Sequence, residues 1–166
     1  IALKLSDTSL SVINNTVVMG SGSNVTVGVT AVGRNSIDLI NNIFYKDERS
    51  KLGTAIYIDD ISYSPRILNN SFSGWELLLE SSSAASGTIE ELDALDEEED
   101  GGTIANNISE TYTETFRSST EGIYRLAPDS RCVNAGFSPV LLNFPTFADF
   151  DGDILLGSVD IGADER

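Results

Sequence analysis

The chain repeats one phrase four times: Leu10-Ser-Val-Ile-Asn-Asn-Thr-Val17, Ile37-Asp-Leu-Ile-Asn-Asn-Ile-Phe44, Pro65-Arg-Ile-Leu-Asn-Asn-Ser-Phe72 and Gly102-Thr-Ile-Ala-Asn-Asn-Ile-Ser109. The first asparagines of successive copies are 27, 28 and 37 residues apart. A period in this range is typical of stacked structural units, each too small to bury its own apolar face. The longer last step indicates an inserted loop.

Aliphatic and polar residues alternate ahead of each asparagine pair. This alternation is typical of a strand with one buried and one solvated face. Asparagine suits a sharp corner, because it bonds to nearby backbone and tolerates a left-handed conformation. Each phrase therefore predicts a strand, a corner and a second strand, although Ser109 breaks the apolar position after the pair. The aliphatic column two places before the pair is Val12, Leu39, Ile67 and Ile104.

The period matches one turn of a parallel β-solenoid with three short strands, which needs about 20–30 residues. Stacked turns, here called coils, place equivalent residues about 4.8 Å apart. One inward asparagine per coil would then form a ladder of amide hydrogen bonds. The alternatives are that the asparagine pairs form ordinary turns or are N-glycosylation acceptors, since Asn14, Asn69 and Asn107 each begin an Asn-x-Ser/Thr motif. The predicted ladder residues are Asn15, Asn42, Asn70 and Asn107.

With this Ile-x-Asn-Asn pattern, residues 9–120 resemble the right-handed parallel β-helix of the pectin-lyase-like superfamily. The resemblance implies an all-β solenoid of about four coils, with the coils spanning residues 1–120. Ile1 and Leu3 fit the edge of another coil, so we expect that an upstream piece precedes the sequence. Strands over 25–30 and 55–59 are expected to share a register, because Val29 and Ile56 each follow a ladder asparagine by 14 residues. Residues 77–79 are expected to continue the same sheet.

The column directly before the asparagine pair is apolar, although alternation predicts that it faces outward. Its residues are Ile13, Ile40, Leu68 and Ala105. An exterior apolar stripe usually marks a surface that something covers. Alternatively, the strand twists into the corner and these residues are buried inside the coil. We call these four residues the apolar stripe.

Composition limits the classes of function. The 166 residues carry a net charge of −16, which argues against nucleic acid or anionic lipid and is compatible with calcium or cationic surfaces. No stretch of 18 apolar residues occurs, so no membrane span is predicted. The absence of histidine excludes Ser-His-Asp, Cys-His and histidine–metal chemistry. The single cysteine excludes an internal disulfide framework.

An insertion over residues 81–101 separates the third and fourth coils. Thr88-Ile-Glu-Glu91 has the form of a capping box, and Ile89, Leu92 and Leu95 recur at helical spacing. We therefore predict a short helix over residues 89–97 that lies on the coils by its apolar edge. Residues 90–100 contain eight carboxylates. This acidic run is either a solvated loop or a site for a cation or partner.

The last part of the chain, residues 121–166, does not follow the repeat pattern. It resembles the choice-of-anchor-Q-like module of bacterial surface β-helix proteins, although Arg131 stands where that pattern often has proline. We expect this module to cover the open end of the last coil, and residues 140–150 to lie over the apolar stripe. The matching segments are Tyr124-Arg-Leu-Ala-Pro-Asp-Ser-Arg-Cys-Val-Asn-Ala-Gly136, Asp149-Phe-Asp-Gly-Asp153 and Val159-Asp-Ile-Gly-Ala-Asp-Glu165.

Two sets of carboxylates are candidate site residues. Asp149, Asp151 and Asp153 resemble a calcium loop but lack the usual downstream glutamate, so a tight turn is the alternative. The second set projects from one strand face, where pectin-lyase-like enzymes bind substrate. A pair from this set is suited to glycoside hydrolysis; surface carboxylates on an acidic protein are the alternative. Its carboxylates are Asp59, Glu76 and Glu80, and Tyr57 is expected to project from the same face.

The sequence favours a non-catalytic structural or carbohydrate-interacting module of an exported bacterial surface protein. The alternative is a polysaccharide lyase or glycoside hydrolase fragment acting on acidic polysaccharide, although no basic residue recurs near the candidate face to serve a lyase. A further hypothesis is self-association through the N-terminal coil or through the apolar stripe at Ile13, Ile40 and Leu68. No cofactor is predicted apart from Ca²⁺ at the acidic sites.

Overall fold

The computed structural model describes residues 1–6, 9–20, 26–33, 36–47, 52–60, 65–97, 103–117, 124–138 and 158–162. Within these ranges the chain consists mainly of short strands. The strands are β1 (Leu3–Ser6), β2 (Leu10–Ile13), β3 (Thr16–Met19), β4 (Thr26–Val32), β5 (Ile37–Ile40), β6 (Ile43–Lys46), β7 (Gly53–Ile58), β8 (Arg66–Leu68), β9 (Ser71–Ser73), β10 (Leu77–Ser81), β11 (Ala85–Ser86), β12 (Thr103–Ala105) and β13 (Ile108–Ser109). The helices are α1 (Ile89–Asp93), which a 3₁₀ turn over Ala94–Glu97 continues, and α2 (Tyr112–Thr115).

Three sheets run side by side along the molecule. Sheet A has the order β1-β4-β7-β10-β11, sheet B has β12-β8-β5-β2 and sheet C has β13-β9-β6-β3. Every strand pair among the described residues is parallel except β10–β11. Each copy of the repeated phrase gives one strand to sheet B and one to sheet C. The chain is therefore all-β with stacked repeats, an arrangement consistent with a parallel solenoid.

The predicted registers are confirmed. Val29 pairs with Ile56, and Ile56 pairs with Leu79, so β10 continues sheet A as expected. Strand β1 pairs with β4, which confirms that the first residues belong to a sheet edge. Steps of 27 and 28 residues therefore return the first three copies of the phrase to the same position in sheets B and C, whereas in sheet A the step is 26 residues from Leu3 to Val29, 27 to Ile56 and 23 to Leu79.

The interior is filled by the aliphatic and aromatic columns of the repeats. Leu39, Ile67 and Ile104 are buried in one core, and the Phe44 and Phe72 rings stack in it with centroids 5.4 Å apart. Ser109, which breaks this column in sequence, lies at the last repeat and is exposed. Residues at equivalent positions of successive repeats thus pack on one another, as the alternation predicts.

The predicted helix is confirmed, and it covers the end of the core. The Thr88 hydroxyl accepts from the Glu91 amide, and the Glu91 carboxylate accepts from the Thr88 amide, which completes the capping box. Leu92 is fully buried in the main core, with Ile89 and Leu95 packed beside it. The helix contacts β10 and β12, so it closes the stack at the last repeat.

The described residues of the C-terminal module pack on the sides of the stack. Residues 132–133, 135 and 161 pack against the outer side of sheet C around Ile43, and Phe137 packs on the apolar stripe. Residues 121–123, 139–157 and 163–166 lie outside the described residues, so the cover of the open end by this module stays a prediction. A short helix with an apolar edge was available in the insertion, and it already covers the core end. The expected boundary at residues 120–121 and the expected cover at 140–150 lie outside the described residues.

The apolar stripe is an exterior feature, and this chain covers it. Ile40 and Leu68 are buried, with Ile13, Ala105 and Phe137 packed around them, in a cluster separate from the main core. The alternative in which the stripe turns into the coil is therefore excluded. Because Ile40 and Leu68 are covered by their own chain, they are not available as a dimer surface.

Candidate functional site

The second asparagine of each pair forms the predicted ladder. Each Nδ2 donates to the Oδ1 of the next repeat, at 3.3 Å from Asn15 to Asn42, 3.0 Å from Asn42 to Asn70 and 3.1 Å from Asn70 to Asn107. The backbone amides of the first three members donate to the same oxygens. Asn42, Asn70 and Asn107 are buried, so Asn107 is not an exposed glycosylation acceptor in the fold. These amides join the repeats rather than bind a ligand.

The first asparagine of each pair makes the corner, and in the middle repeats it also holds the C-terminal segment. Asn14, Asn41, Asn69 and Asn106 all have left-handed φ values between 52° and 57°. The Phe137 amide donates to Asn41 Oδ1 at 2.6 Å, and Asn69 Nδ2 donates to the Ala135 carbonyl at 2.7 Å. The Gly162 amide donates to the Asn41 carbonyl. This outward contact was not visible in the sequence, because the partners are 66 and 96 residues apart.

The outer face of sheet B carries an ion pair between repeats. Arg66 and Asp38 form two hydrogen bonds of 2.7 Å, and Ser11 donates to the same carboxylate. These contacts, led by the one with Arg66, hold the pKa of Asp38 below its ordinary value, while partial burial opposes the shift. Both side chains are partly exposed, at 49% for Arg66 and 22% for Asp38, so the pair contributes modestly to stability.

The outer face of sheet A contains two of the three candidate carboxylates. Tyr57 lies between Thr30 on β4 and Glu80 on β10 in the strand register. Asp59 follows β7 and is exposed, and its carbonyl accepts from the Ser82 amide. Asp59 therefore lies just beyond the end of β7, two residues after Tyr57, the register partner of Glu80. Glu80 also accepts a 2.9 Å hydrogen bond from the Thr54 hydroxyl.

Glu76 does not share a continuous column with Glu80. Leu78, between them, is buried in the main core together with Leu79, so side chains do not alternate strictly along this segment. The neighbouring strand has the same irregularity at Ala55 and Ile56, both fully buried. Glu76 precedes β10 and is exposed, so the strand register does not place it, and its position on this face stays a prediction.

A buried carboxylate that sequence reasoning missed joins the last repeat to the C-terminal segment. Glu110 accepts from the Ser130 hydroxyl and the Arg131 amide, both at 2.7 Å. Cys132 is fully buried beside it, and burial raises the pKa of this thiol to about 11. A thiol with that pKa is a poor nucleophile at neutral pH. Glu110 follows a repeat phrase directly, but nothing local in the sequence marks its partners.

No described group of His, Cys, Asp and Glu side chains is arranged to hold a metal ion. The calcium candidates Asp149, Asp151 and Asp153 lie outside the described residues, as does the end of the acidic run, residues 98–100. Within the described part of that run, the Asp96 carboxylate accepts from the Ile104 amide at 2.9 Å and so fixes the helix to β12. Asp96 therefore has a structural role.

A groove at the last repeat was also not predicted. It has a volume of about 380 Å³ and lies between β9, the start of α1 and β13. Trp75, the only tryptophan of the chain, lines it together with Glu90 and Arg131. A second cavity of about 460 Å³ adjoins it through Ser109 and Arg131. The sequence signal was a lone Trp after a corner phrase, which does not distinguish a groove from a core position.

Comparison with known protein families, curated proteins and solved structures finds no match. In the part of the chain that the structure describes, no helix has the length and apolar character needed to cross a membrane.

Proposed function

We propose that this chain is part of a right-handed parallel β-helix of the pectin-lyase-like kind, ending in a choice-of-anchor-Q-like module. Its function is that of a non-catalytic structural or carbohydrate-interacting module on an exported bacterial surface protein. The stacked parallel repeats and the asparagine ladder support the fold. The export and the bacterial surface rest on the resemblance in residues 121–166.

The outer face of sheet A carries the carbohydrate part of the proposal. Tyr57 stands in register between Thr30 and Glu80, and Asp59 follows two residues later, just after the end of β7. The half-buried Tyr57 ring beside the Glu80 carboxylate is suited to stack on a sugar and to bond its hydroxyls, whereas Thr30 is buried. Strands spaced about 4.8 Å apart repeat such contacts along an extended chain. This register is the observation on which the proposal rests.

Affinity electrophoresis through gels that contain neutral or acidic polysaccharides tests the proposal. We expect retardation of the wild-type chain in at least one gel, and a clear loss of retardation in Tyr57→Ala. Thr103→Ala, an exposed strand residue on sheet B, is the matched control and should migrate like the wild type. Equal migration of all three proteins in every gel would contradict binding at this face.

The second candidate function is hydrolysis of an acidic polysaccharide by Asp59 and Glu80. Their positions, on β10 and just beyond the end of the neighbouring β7, favour it, because glycosidases need two carboxylates on either side of the scissile bond. The hydrogen bond that the Thr54 hydroxyl donates to Glu80 counts against Glu80 as a free general acid or base. Release of reducing ends by the wild type, lost in Asp59→Asn with Glu80→Gln, would favour the enzyme over the binding module.

A further inference from the structure

The groove beside the last repeat is lined by none of the residues Tyr57, Asp59 and Glu80 of the sheet A face. Its deep wall is apolar, made by Phe72 and Leu78 of the core and by Ile89 at the start of α1. Its volume of about 380 Å³ is at the lower end of the range for small-molecule sites. The groove thus has room for one ring-sized ligand.

Trp75 is held in a fixed position in the wall of this groove. Its Nε1 donates to the Phe44 carbonyl at 2.9 Å. A Cβ atom built on Gly28 would lie 3.4 Å from the indole Cη2 and 2.6 Å from the Ala55 carbonyl oxygen, so glycine permits the close packing of ring and strand. An aromatic wall ordered before binding loses little entropy when a ligand stacks on it.

The rim of the groove is polar and carries charges of both signs. Glu90 lies at the start of α1, and Arg131 comes from the C-terminal segment. Both side chains are exposed. The Arg131 guanidinium makes no hydrogen bond to any residue that the structure describes, although the Arg131 amide is bonded to Glu110. The five donors of this guanidinium are therefore not hydrogen-bonded within the described part of the chain, although the Glu114 carboxylate interacts with its charge.

The surrounding charges select among ligand classes. Glu114 and Asp129 line the adjoining cavity beside Arg131, and the chain as a whole carries −16, so an anionic ligand is repelled. The positive charge of Arg131 repels a cation at the junction of the two cavities. The exposed charged groups of Glu90 and Arg131 would lose their water without compensation against a purely apolar ligand. A neutral ring with an apolar face and many hydroxyls satisfies each of these constraints.

We propose that this groove binds one neutral sugar ring of a glycan, stacked on Trp75 and hydrogen-bonded by Arg131 and Glu90, with the next ring entering the adjoining cavity. The inference shares the glycan class with the proposed function but uses different residues. Its failure is therefore distinguishable from a failure at Tyr57.

Trp75 is the only tryptophan, so intrinsic fluorescence reports on this groove. The wild type is titrated with glucose, galactose, mannose, N-acetylglucosamine and their disaccharides, and with glucuronate and glucosamine as charged comparators. We expect a saturable change with at least one neutral sugar. Arg131→Ala should weaken that binding by about tenfold or more, since hydrogen bonds to a charged group are lost.

Two variants serve as controls. Arg117→Ala removes the same charge from an exposed site outside both cavities and should bind like the wild type. Tyr57→Ala should leave the Trp75 titration unchanged whether or not sheet A binds polysaccharide. The inference is overturned if no neutral sugar gives a saturable change, if glucuronate or glucosamine binds more tightly than every neutral sugar, or if Arg131→Ala and Arg117→Ala bind alike.

Discussion

The paired asparagines divide two tasks between adjacent residues. The first residue of each pair supplies the left-handed backbone of the corner, while the second supplies a side chain that bridges the repeats. In the middle of the stack, Asn70 accepts from the amide and the side chain of Asn42 and donates to the Leu39 carbonyl and to Asn107. At the outer end, Asn15 is exposed. Its backbone and side-chain amides donate to Asn42 Oδ1 and its carbonyl accepts from the Ile43 amide, but its side-chain oxygen accepts from no other described repeat.

The ladder therefore predicts a strong dependence on position. Asn70→Ala leaves buried groups of Asn42 and Leu39 unpaired, and it should lower the free energy of unfolding by about 3 kcal/mol or more. Asn15→Ala removes bonds at an exposed end and should cost less than about 1 kcal/mol. Urea unfolding followed by circular dichroism measures both. Similar losses in the two variants would mean that the buried amides are not energetically linked to the stacking of repeats.

Sequence alone was sufficient for the ladder, because four copies in register distinguish a repeated contact from four separate turns. Asn134, in contrast, adopts the same left-handed conformation with φ 56° but lies outside any copy of the phrase. Its backbone amide donates to the buried Asp160 carboxylate at 2.6 Å. That contact joins two segments 26 residues apart, and no local pattern predicts it.

At the scale of elements, α1 is an acidic helix that closes an apolar core. Leu92 faces the core, whereas Asp93 lies beside Asn107, the last member of the ladder. Burial is the main reason why the pKa of Asp93 is raised above the ordinary value of 3.8. Hydrogen bonding with Asn107 opposes the shift, and the nearby charges of Glu90 and Asp96 add to it. The helix therefore covers the core at an electrostatic cost.

This cost predicts how stability changes with pH. The folded state holds the Asp93 proton more tightly than the unfolded state, so its contribution to stability falls as pH rises from about 3.8 through the raised pKa. Asp93→Asn should therefore be more stable than the wild type at neutral pH. The difference should disappear at pH values well below 3.8, where the carboxyl is protonated in both states. Urea midpoints across this pH range provide the measurement.

Asp129→Asn is the control, because it changes the net charge by the same amount as Asp93→Asn but removes an exposed carboxylate outside α1. It should stabilise the protein less than Asp93→Asn at neutral pH. If the two variants gain stability equally, general charge repulsion rather than burial at Asp93 explains the result.

The helix itself was predictable, but its role was not. The capping box and the spacing of Ile89, Leu92 and Leu95 are local signals, so the structure agrees with them residue by residue. Which element covers which surface depends on contacts between distant segments. The Trp75 groove arises in the same way, since its walls come from β9, α1, β13 and the C-terminal segment.

At the scale of the whole molecule, the ends and the sides of the stack are covered by different parts of the chain. The insertion covers the core and β12 at one end, while residues of the C-terminal segment cover Ile40 and Leu68 on the side. These surfaces differ physically. The end presents strand edges, which pair with other strands, whereas the side presents only side chains. Displacing the insertion should therefore promote association of strand edges, whereas displacing the C-terminal segment should expose only apolar side chains.

Leu92→Asp and Leu68→Asp test this difference with the same substitution. Each forfeits the roughly 1.5–3 kcal/mol that burial of a leucine side chain contributes, so both proteins should unfold more readily. Leu92→Asp also displaces the helix from the strand edges and should form end-to-end assemblies, seen by sedimentation velocity as species that grow with protein concentration. Leu68→Asp leaves α1 in place and should not form such a series. Equal assembly by both variants would show that general exposure of apolar surface, rather than opening of the strand edges, controls association.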